Sequence, residues 1–345
     1  MSNPQLQGFY LSFSGESPTP INNIYALSPA GVTVSTQVLD SSQTYQELRG
    51  MAFAADGSLY ICQAYKGASA VLPFAASASA GGYTRAFVKR YVTPDSSSGL
   101  KHPYQPVFGL DGNLYVSSQD TNVVTGFQGP AGQQSGQALA NSQFLQSQYP
   151  TGTFNPGTFV PAWTADSGVP AFTPVPVAQG GLTLTSSGSS THSVRGLAFD
   201  DAGHLFVADE GANRVGVYDS NGNFLGAVTQ SDSHSLQDPV ALWFDAASGL
   251  LFIGSSGNER IFTYAVSGVA GGSFQANVLI HDSDRLKKVS GIAVDASGNL
   301  YTCSRETSSV YQWSAKSGDF IGTLASGFTD TPEQIVPVYS GFSGG

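Results

Sequence analysis

A short glycine turn between two apolar runs recurs along this chain, and it is the feature that most limits the possible fold. The turn is clearest in residues 195–226, where three short alternating runs are each closed by Gly, Asn or Asp. Apolar alternation over so few residues, bounded by turn residues, is typical of antiparallel strands joined by tight turns. Such a small sheet has two faces and cannot bury both alone, so the pattern requires neighbours of the same kind.

The inner turn returns at a regular spacing. It is centred on Gly57, Gly112, Gly203, Gly249 and Gly298. Gly203 and Gly249 are 46 residues apart, and Gly249 and Gly298 are 49 apart. A period of about 40–50 residues with four strands per unit is the spacing of β-propeller blades. The sequence therefore predicts an all-β, six-bladed β-propeller of four-stranded antiparallel blades, formed as a single domain by residues 1–345.

The blade count has one alternative. Gly112 and Gly203 are 91 residues apart, which allows either one blade with a long insertion or two blades. No glycine turn followed by an inner strand occurs between them, so we expect six blades with an insertion at about 129–190, between blades three and four. Seven blades remain the alternative.

The two ends of the chain are predicted to share one blade. Runs at 9–13, 23–27 and 32–38 supply strands two, three and four of blade one, and no run before them supplies its inner strand. Residues 332–338 (PEQIVPV) align with the inner strands of the other blades. Pairing the C-terminal strand with the N-terminal blade would close the ring and remove its exposed edges.

Residues 196–214 also resemble an NHL repeat. The family's pattern appears in order as Gly196, Asp200, Gly203, Val207-Ala208-Asp209 and Asn213-Arg214. The resemblance extends to the six-bladed group that includes SMP-30/gluconolactonase-like and strictosidine-synthase-like proteins. It implies a site at the mouth of the central channel, where those proteins place a divalent cation or a carboxylate. A looser likeness to virginiamycin B lyase-like propellers rests on the positions of His102 or His192 and Glu306.

Composition and charge limit the partners and the compartment. The net charge is −10 with only 14 Lys and Arg, which argues against a nucleic-acid partner. No apolar run is long enough to span a bilayer, and the N-terminus shows no secretory signal. Cys62 and Cys303 fall in the second strands of blades two and six, too far apart for a disulfide, and are predicted to be buried free thiols. We expect a soluble protein, with the cytoplasm slightly favoured and secretion left open.

Charged residues are predicted to gather at one end of the channel. Aligning the repeats gives six residues at the start of the inner strands, the ring position: Arg49, Tyr104, Arg195, Val240, Ser290 and Glu333. The second strands end at the same face, near Glu16, Tyr65, Asp120, Asp209, Glu210, Asn258, Glu259, Arg305 and Glu306. Only 11 % of the chain is charged, so this concentration indicates a functional channel mouth, with Glu333 facing Arg195 across it.

Two interpretations of these residues stay open. Arg49, Arg195 and Glu333 could plug the channel by pairing with one another and with water. Alternatively, the arginines bind an anionic or carbonyl-bearing small molecule, while Glu333 or Glu210 moves a proton. On the second interpretation the catalytic residues are Glu333, Arg195 and Glu210. The substrate-binding residues are then Arg49, Tyr104, Ser290, Glu306, His102 and Trp163.

The favoured function is a metal-independent enzyme of the lyase, cyclase or isomerase type that acts on a small organic molecule at the channel mouth. Residues 143–190, rich in aromatic side chains, are predicted to form its lid. One alternative is a carbohydrate- or protein-binding propeller without catalysis, and another is an SMP-30-like metal-dependent lactonase. No cofactor is predicted and a divalent cation is left open, although two arginines at ring positions would oppose a Ca²⁺ site. The mouth residues differ from blade to blade, which favours one asymmetric pocket.

Overall fold

In the computed structural model, the described residues contain twenty-four strands, which form six four-stranded sheets. The structure describes residues 5–78, 82–92, 100–120, 123–132, 135–137, 158–159, 193–219, 224–228 and 235–340. Within these ranges the only helix is a short 3-10 helix, Val266–Gly271, and no helix has the length and apolar character to cross a membrane. The prediction of an all-β, six-bladed β-propeller is therefore confirmed.

Each blade runs from an innermost strand beside the channel to an outermost strand at the periphery. Blade one contains, in this order, β24 (Pro332–Tyr339), β1 (Leu6–Phe13), β2 (Tyr25–Leu27) and β3 (Thr33–Ser35). Blade two contains β4 (Leu48–Phe53), β5 (Leu59–Gln63), β6 (Ala70–Ala78) and β7 (Arg85–Phe87). Blade three contains β8 (Pro103–Phe108), β9 (Leu114–Ser118), β10 (Val123–Phe127) and β11 (Thr158–Phe159).

Blade four contains β12 (Val194–Phe199), β13 (Leu205–Asp209), β14 (Arg214–Tyr218) and β15 (Phe224–Val228). Blade five contains β16 (Pro239–Asp245), β17 (Leu250–Ser255), β18 (Arg260–Ala265) and β19 (Asn277–His281). Blade six contains β20 (Val289–Val294), β21 (Asn299–Ser304), β22 (Ser309–Ser314) and β23 (Phe320–Ser326).

The ring closes as the sequence predicts. β24 is the innermost strand of blade one and pairs antiparallel with β1, with Tyr10 opposite Val336 and Leu11 opposite Ile335. It also packs against the inner strands β20 and β4 of the two neighbouring blades. The last strand of the chain therefore joins the first and last blades.

The outermost strand of blade three, β11, does not have the antiparallel pairing that the sequence predicts. β11 lies inside the predicted insertion and pairs with β10 in parallel, through Val123 with Thr158 and Val124 with Phe159. A tight hairpin forces an antiparallel partner, whereas a long connection does not fix the strand direction. Most of the remaining insertion lies outside the described residues.

The recurring aspartates hold the inner turns, as expected from the sequence. Asp200 accepts backbone N–H bonds from Ala202 at 3.0 Å and from His204 at 2.8 Å. Gly203 in the same turn has φ of +83°, a left-handed conformation that favours glycine. Asp295 makes the equivalent bonds in blade six. These aspartates are explained by local structure, and no functional role is needed for them.

Each inner strand is irregular at its ring position. The pairing register of the inner and second strands shifts across residues 48–51, 103–106, 194–197, 239–241, 289–291 and 332–335. Each of these intervals contains one ring residue. A β-bulge redirects a side chain and is common next to active sites. The repeated bulge therefore distinguishes the ring position from the rest of every inner strand.

Glycines that follow ring residues let the inner strands approach one another closely. A Cβ on Gly196 would lie 2.5 Å from the carbonyl oxygen of Val240 in the next blade, and one on Gly291 would lie 2.6 Å from that of Glu333. Such contacts are shorter than van der Waals distance. A larger residue would force the blades apart at the ring.

We expect Gly196→Ala to lower the free energy of unfolding by about 1–3 kcal/mol, the usual cost of overpacking a tightly packed site. Urea denaturation measures the change. Gly322→Ala is the matched control, because Gly322 lies in an outer strand and nothing lies within 4 Å of its added Cβ. Equal stability of Gly196→Ala and the wild type would contradict the close approach.

The core lies between the blades. The described buried apolar residues form six clusters, and each fills the space between two neighbouring blades. Cys62 and Cys303 are free and buried in two of these clusters, as predicted. Burial raises the pKa of both thiols, which keeps them protonated and unreactive.

Candidate functional site

Charged and polar side chains converge where the inner strands begin. The structure brings together five of the predicted site residues from the ring, Arg49, Tyr104, Arg195, Ser290 and Glu333, with Glu210 beside them. Glu16 and Arg305 join the same cluster. We call these eight residues the charged mouth.

Glu333 lies at the centre of this cluster and is only 1 % exposed. Its Oε2 is 3.3 Å from Nη1 of Arg49 and 3.5 Å from Nε of Arg305. Burial alone would raise the pKa of this carboxyl, but the two guanidinium groups outweigh burial and hold the pKa below its ordinary value. Glu333 is therefore ionised and a weak base, which favours a role in holding the arginines.

Glu16 bridges the same two arginines from the other side. Its Oε1 is 2.6 Å from Nη2 of Arg49, and its Oε2 is 3.3 Å from Nη2 of Arg305. Burial would lower the pKa of Arg49, but the charges of Glu333 and Glu16 raise it. Two arginines and two carboxylates thus compensate one another, with Arg49 and Glu333 buried and Glu16 about half-exposed.

Glu16 and Arg305 were not selected as site residues from the sequence. Both stand at the second-strand ends that the repeat alignment gives, so the signal was present. The alignment does not show which of two adjacent residues, Arg305 or Glu306, reaches the ring. In the structure Arg305 does, while Glu306 is exposed beside it.

Several donor and acceptor atoms of Arg49 and Glu333 are not used in hydrogen bonds within the described structure. Nε and Nη1 of Arg49 and both carboxylate oxygens of Glu333 are buried and make no hydrogen bond of ordinary geometry among the described residues, although the Tyr104 side chain is near enough to help lower the pKa of Glu333. The Arg49–Glu333 separation of 3.3 Å exceeds the roughly 2.7–2.9 Å of a charge-assisted hydrogen bond. The centre of the charged mouth can therefore accept a further polar group.

Arg195 is the most precisely held cation of the cluster. Its Nη2 is 2.7 Å from Oε2 of Glu210, and its Nε donates to Oγ of Ser193 at 2.8 Å. The guanidinium lies 5.1 Å from the centre of the Tyr104 ring, within the range of a cation–π contact. The Tyr104 hydroxyl in turn donates to the backbone oxygen of Ser290 at 3.3 Å. Arg195 pairs with Glu210 and not with Glu333, which the sequence places opposite it.

A cavity of about 420 Å³ opens beside this cluster. Its polar wall includes Arg195, Glu210, Lys288, Ser290, Arg305 and Glu306. Three cations and two carboxylates therefore face one space of the size that holds a small organic molecule. The side chains of Arg195 and Glu210 are 16 % and 26 % exposed, so both are accessible to a ligand.

His102 lies elsewhere at the same face and does not line this cavity. Its backbone has φ of +53°, and its Nδ1 is 3.3 Å from Oδ1 of Asp120. Burial and the charge of Arg49 lower the pKa of His102, and Asp120 only partly opposes them. The imidazole is therefore neutral near pH 7. Trp163 and His192 lie outside the described residues, as does the predicted lid apart from β11.

The described residues offer little to a metal ion. Among them no group of three or more His, Cys, Asp and Glu is arranged so that it could hold one. The carboxylates of the charged mouth are each paired with arginine, and guanidinium charges repel a cation.

Comparison with known proteins identifies the fold. No family model and no curated protein matches the sequence. A chain of a nidogen/laminin complex is 14 % identical, with a TM-score of 0.58 over 95 % of this chain and 97 % of that one. A protein of unknown function from Bacteroides caccae is 11 % identical, with a TM-score of 0.56 over 97 % and 99 %. A catalytically inactive virginiamycin B lyase from Staphylococcus aureus, solved with quinupristin, is 10 % identical, with a TM-score of 0.50 over 83 % and 73 %. At these identities the likeness shows a β-propeller fold alone, and the function must be argued from this chain's own residues.

Proposed function

We propose that this propeller is a metal-independent enzyme of the lyase, cyclase or isomerase type. Its substrate is an anionic or carbonyl-bearing small organic molecule, bound in the cavity beside the charged mouth. The observation that carries the proposal is the Arg195–Glu210 pair on the cavity wall, where an oriented cation and an accessible carboxylate stand 2.7 Å apart.

The residues of the charged mouth divide into two groups. Arg195, with Arg305 and Lys288 on the same wall, would bind the anionic or carbonyl oxygen of the substrate. Glu210 would move the proton, because its carboxylate is the one in the charged mouth that lies both beside Arg195 and on the wall of the cavity. Glu333 and Arg49 would maintain the local charge balance beneath them. Ser290 and Glu306 would contact the polar remainder of the substrate. Substrate contacts by His102, which does not line this cavity, and by Trp163, which lies outside the described residues, rest on the sequence alone.

We further propose that the chain is an NHL-type propeller, related to the group with SMP-30-like and strictosidine-synthase-like proteins. Two parts of the sequence resemblance have structural roles that support this relation. Gly196 allows the close approach of blades four and five, and Asp200 holds the inner turn of blade four. SMP-30-type lactonases hold their metal with Asn, Asp and Glu at the starts of inner strands. In this chain Glu333 is the only acidic residue among the six ring positions, which supports a metal-independent reaction.

Arg195→Ala is expected to weaken ligand binding at least tenfold, because the variant loses the cation that lies open to the cavity. The measurement is a thermal-shift screen of dialysed protein against dicarboxylates, aromatic acids, lactones, simple sugars, calcium and a chelator. Binding at a hundred times the dissociation constant adds about 2.7 kcal/mol to stability, which such a screen detects. Arg285→Ala is the matched control, because Arg285 pairs with Asp282, stacks on Phe320 of an outermost strand and does not line the cavity.

Several results of this screen would overturn the proposal. A thermal shift with calcium would contradict the metal-independent reaction and would indicate a lactonase-like metal site. A shift with sugars alone, or none at all, would favour the binding propeller. For a compound that binds, NMR of the mixture detects turnover, and Glu210→Gln should retain binding while losing turnover.

A further inference from the structure

The channel has a second cavity at its opposite end. The space is about 330 Å³ and is lined by the last residues of the inner strands. We call it the apolar mouth and define it by Phe53, Val107, Phe199, Trp243, Phe244 and Tyr339. These six residues come from blades one to five. We propose that the apolar mouth binds an uncharged aromatic small molecule, at a site separate from the charged mouth.

A hydrogen-bonded pair of glutamines supplies the polar part of the lining of the apolar mouth. Gln334 is 8 % exposed, and its Nε2 donates to Oε1 of Gln105 at 3.1 Å. Oε1 of Gln334 accepts the backbone N–H of Met51, and Nε2 of Gln105 donates to the backbone oxygen of Pro106 at 3.1 Å. Gln334 and Gln105 also line the apolar cavity. The floor of the apolar mouth is therefore neutral and already hydrogen-bonded.

The lining excludes a charged ligand and favours aromatic rings. None of the described residues around this cavity is Asp, Glu, Lys, Arg or His. A charge that entered would lose its hydration without gaining a partner. The rings of Phe53, Phe199, Trp243 and Phe244 are only partly buried by the protein, so their remaining surface is available to another ring. The volume is about twice that of a cavity that binds benzene, which suits two or three rings.

Buried partners hold two of these rings in place before any ligand binds. The Arg85 guanidinium lies 5.4 Å from the Phe53 ring centre, and Arg85 is 1 % exposed and donates to the backbone oxygen of Gly57 at 3.0 Å. Phe199 packs edge-on against Tyr115, with ring centres 5.0 Å apart. Rings that are already ordered lose little conformational entropy on binding.

The rim of the apolar mouth points to a small molecule as the occupant, and not to a second copy of the chain. The inner turns that surround it carry exposed polar residues: Asp56, Asp111, Asp201, Ser248 and Ser297. A stable protein interface buries about 1,200–2,000 Å² with an apolar centre. The apolar lining of this cavity lies inside a rim of mostly polar residues, in which Leu110 is an exposed apolar exception; an apolar cavity with polar surroundings is the usual form of a ligand pocket.

The test is a titration of the full-length protein with N-phenyl-1-naphthylamine, an uncharged aromatic probe that fluoresces in apolar surroundings. We expect saturable binding of one probe per chain. Val107→Asp should weaken binding at least tenfold by placing a carboxylate in the cavity, whereas Val107→Leu should not. Arg195→Ala should leave probe binding unchanged, because Arg195 lies at the other end of the channel.

A second readout remains useful if Val107→Asp fails to fold. Bound probe accepts excitation energy from nearby tryptophan, so Trp243→Phe should retain binding but lose more than half of the probe-induced tryptophan quenching. Non-saturable binding, equal affinity in Val107→Asp, or unchanged quenching in Trp243→Phe would overturn the proposal. Light scattering could show a dimer that the probe dissociates. This result would also overturn the proposal, because a second copy of the chain would then be the occupant of the apolar mouth.

Discussion

Truncation of the chain after Asp330 is expected to abolish cooperative unfolding. The truncation removes β24, which is the innermost strand of blade one and is buried along all but its last residue. Without it β1 loses its inner partner, and the clusters that fill the spaces beside blade one lose Ile335, Val336 and Val338. The truncation also exposes the inner edge of β1, which can then pair with other chains. Circular dichroism during heating and size-exclusion chromatography measure the loss.

A matched truncation after Ser340 keeps all of β24 and is expected to unfold at the temperature of the full chain. A peptide of residues 331–340, added to the shorter truncation, should restore part of the cooperative transition by occupying the empty place in blade one. Ring closure by β24 would be contradicted if the truncation after Asp330 still melted cooperatively near the temperature of the full chain.

Glu333→Gln is expected to lower the free energy of unfolding by about 3 kcal/mol, the lower end of the range for breaking a buried ion pair. The substitution leaves Arg49 and Arg305 without the carboxylate between them. The loss stays at the lower end because Glu16 still pairs with both arginines. Glu306→Gln is the matched control, since Glu306 is exposed beside the cluster, and should change stability little.

The effect of Glu333→Gln on the free energy of unfolding should depend on pH. The pKa of Glu333 in the folded protein lies below its ordinary value of 4.5, mainly because Arg305 and Arg49 outweigh the effect of burial. The ionised form therefore stabilises the fold above about pH 4.5, and this contribution is lost as the pH falls through the folded-state pKa. The stability difference between wild type and Glu333→Gln should narrow on acidification. A difference that stays constant from pH 7 to pH 3 would show that Glu333 is not held ionised by its neighbours.

The sequence predicts the fold well because the blade pattern is local. Each inner turn has its own aspartate and glycine, such as Asp200 and Gly203, and these fix a hairpin without help from distant residues. Ring closure was also predictable, since residues 332–338 match the other inner strands and no other run supplies the missing one. The direction of β11 was not predictable, because the long connection before it does not fix whether the strand runs parallel or antiparallel to β10.

The site is less predictable than the fold for two physical reasons. The ring residues follow from the repeat alignment, but their pairing depends on side-chain reach. Arg305 reaches the carboxylate of Glu333, whereas its neighbour Glu306 lines the cavity. The apolar mouth was missed because its residues, such as Phe53 and Phe244, belong to the same apolar runs that build the core. Only the three-dimensional arrangement separates them from core positions.

The most direct test of a ligand site at the charged mouth is X-ray diffraction from crystals soaked in the compound that gives the largest thermal shift. We expect ligand density in the 420 Å³ cavity, with an oxygen of the compound against the Arg195 guanidinium and another atom within hydrogen-bonding distance of Glu210. Density for the compound only on the outer blades, with the Arg195–Glu210 pair untouched, would contradict a ligand site at the charged mouth.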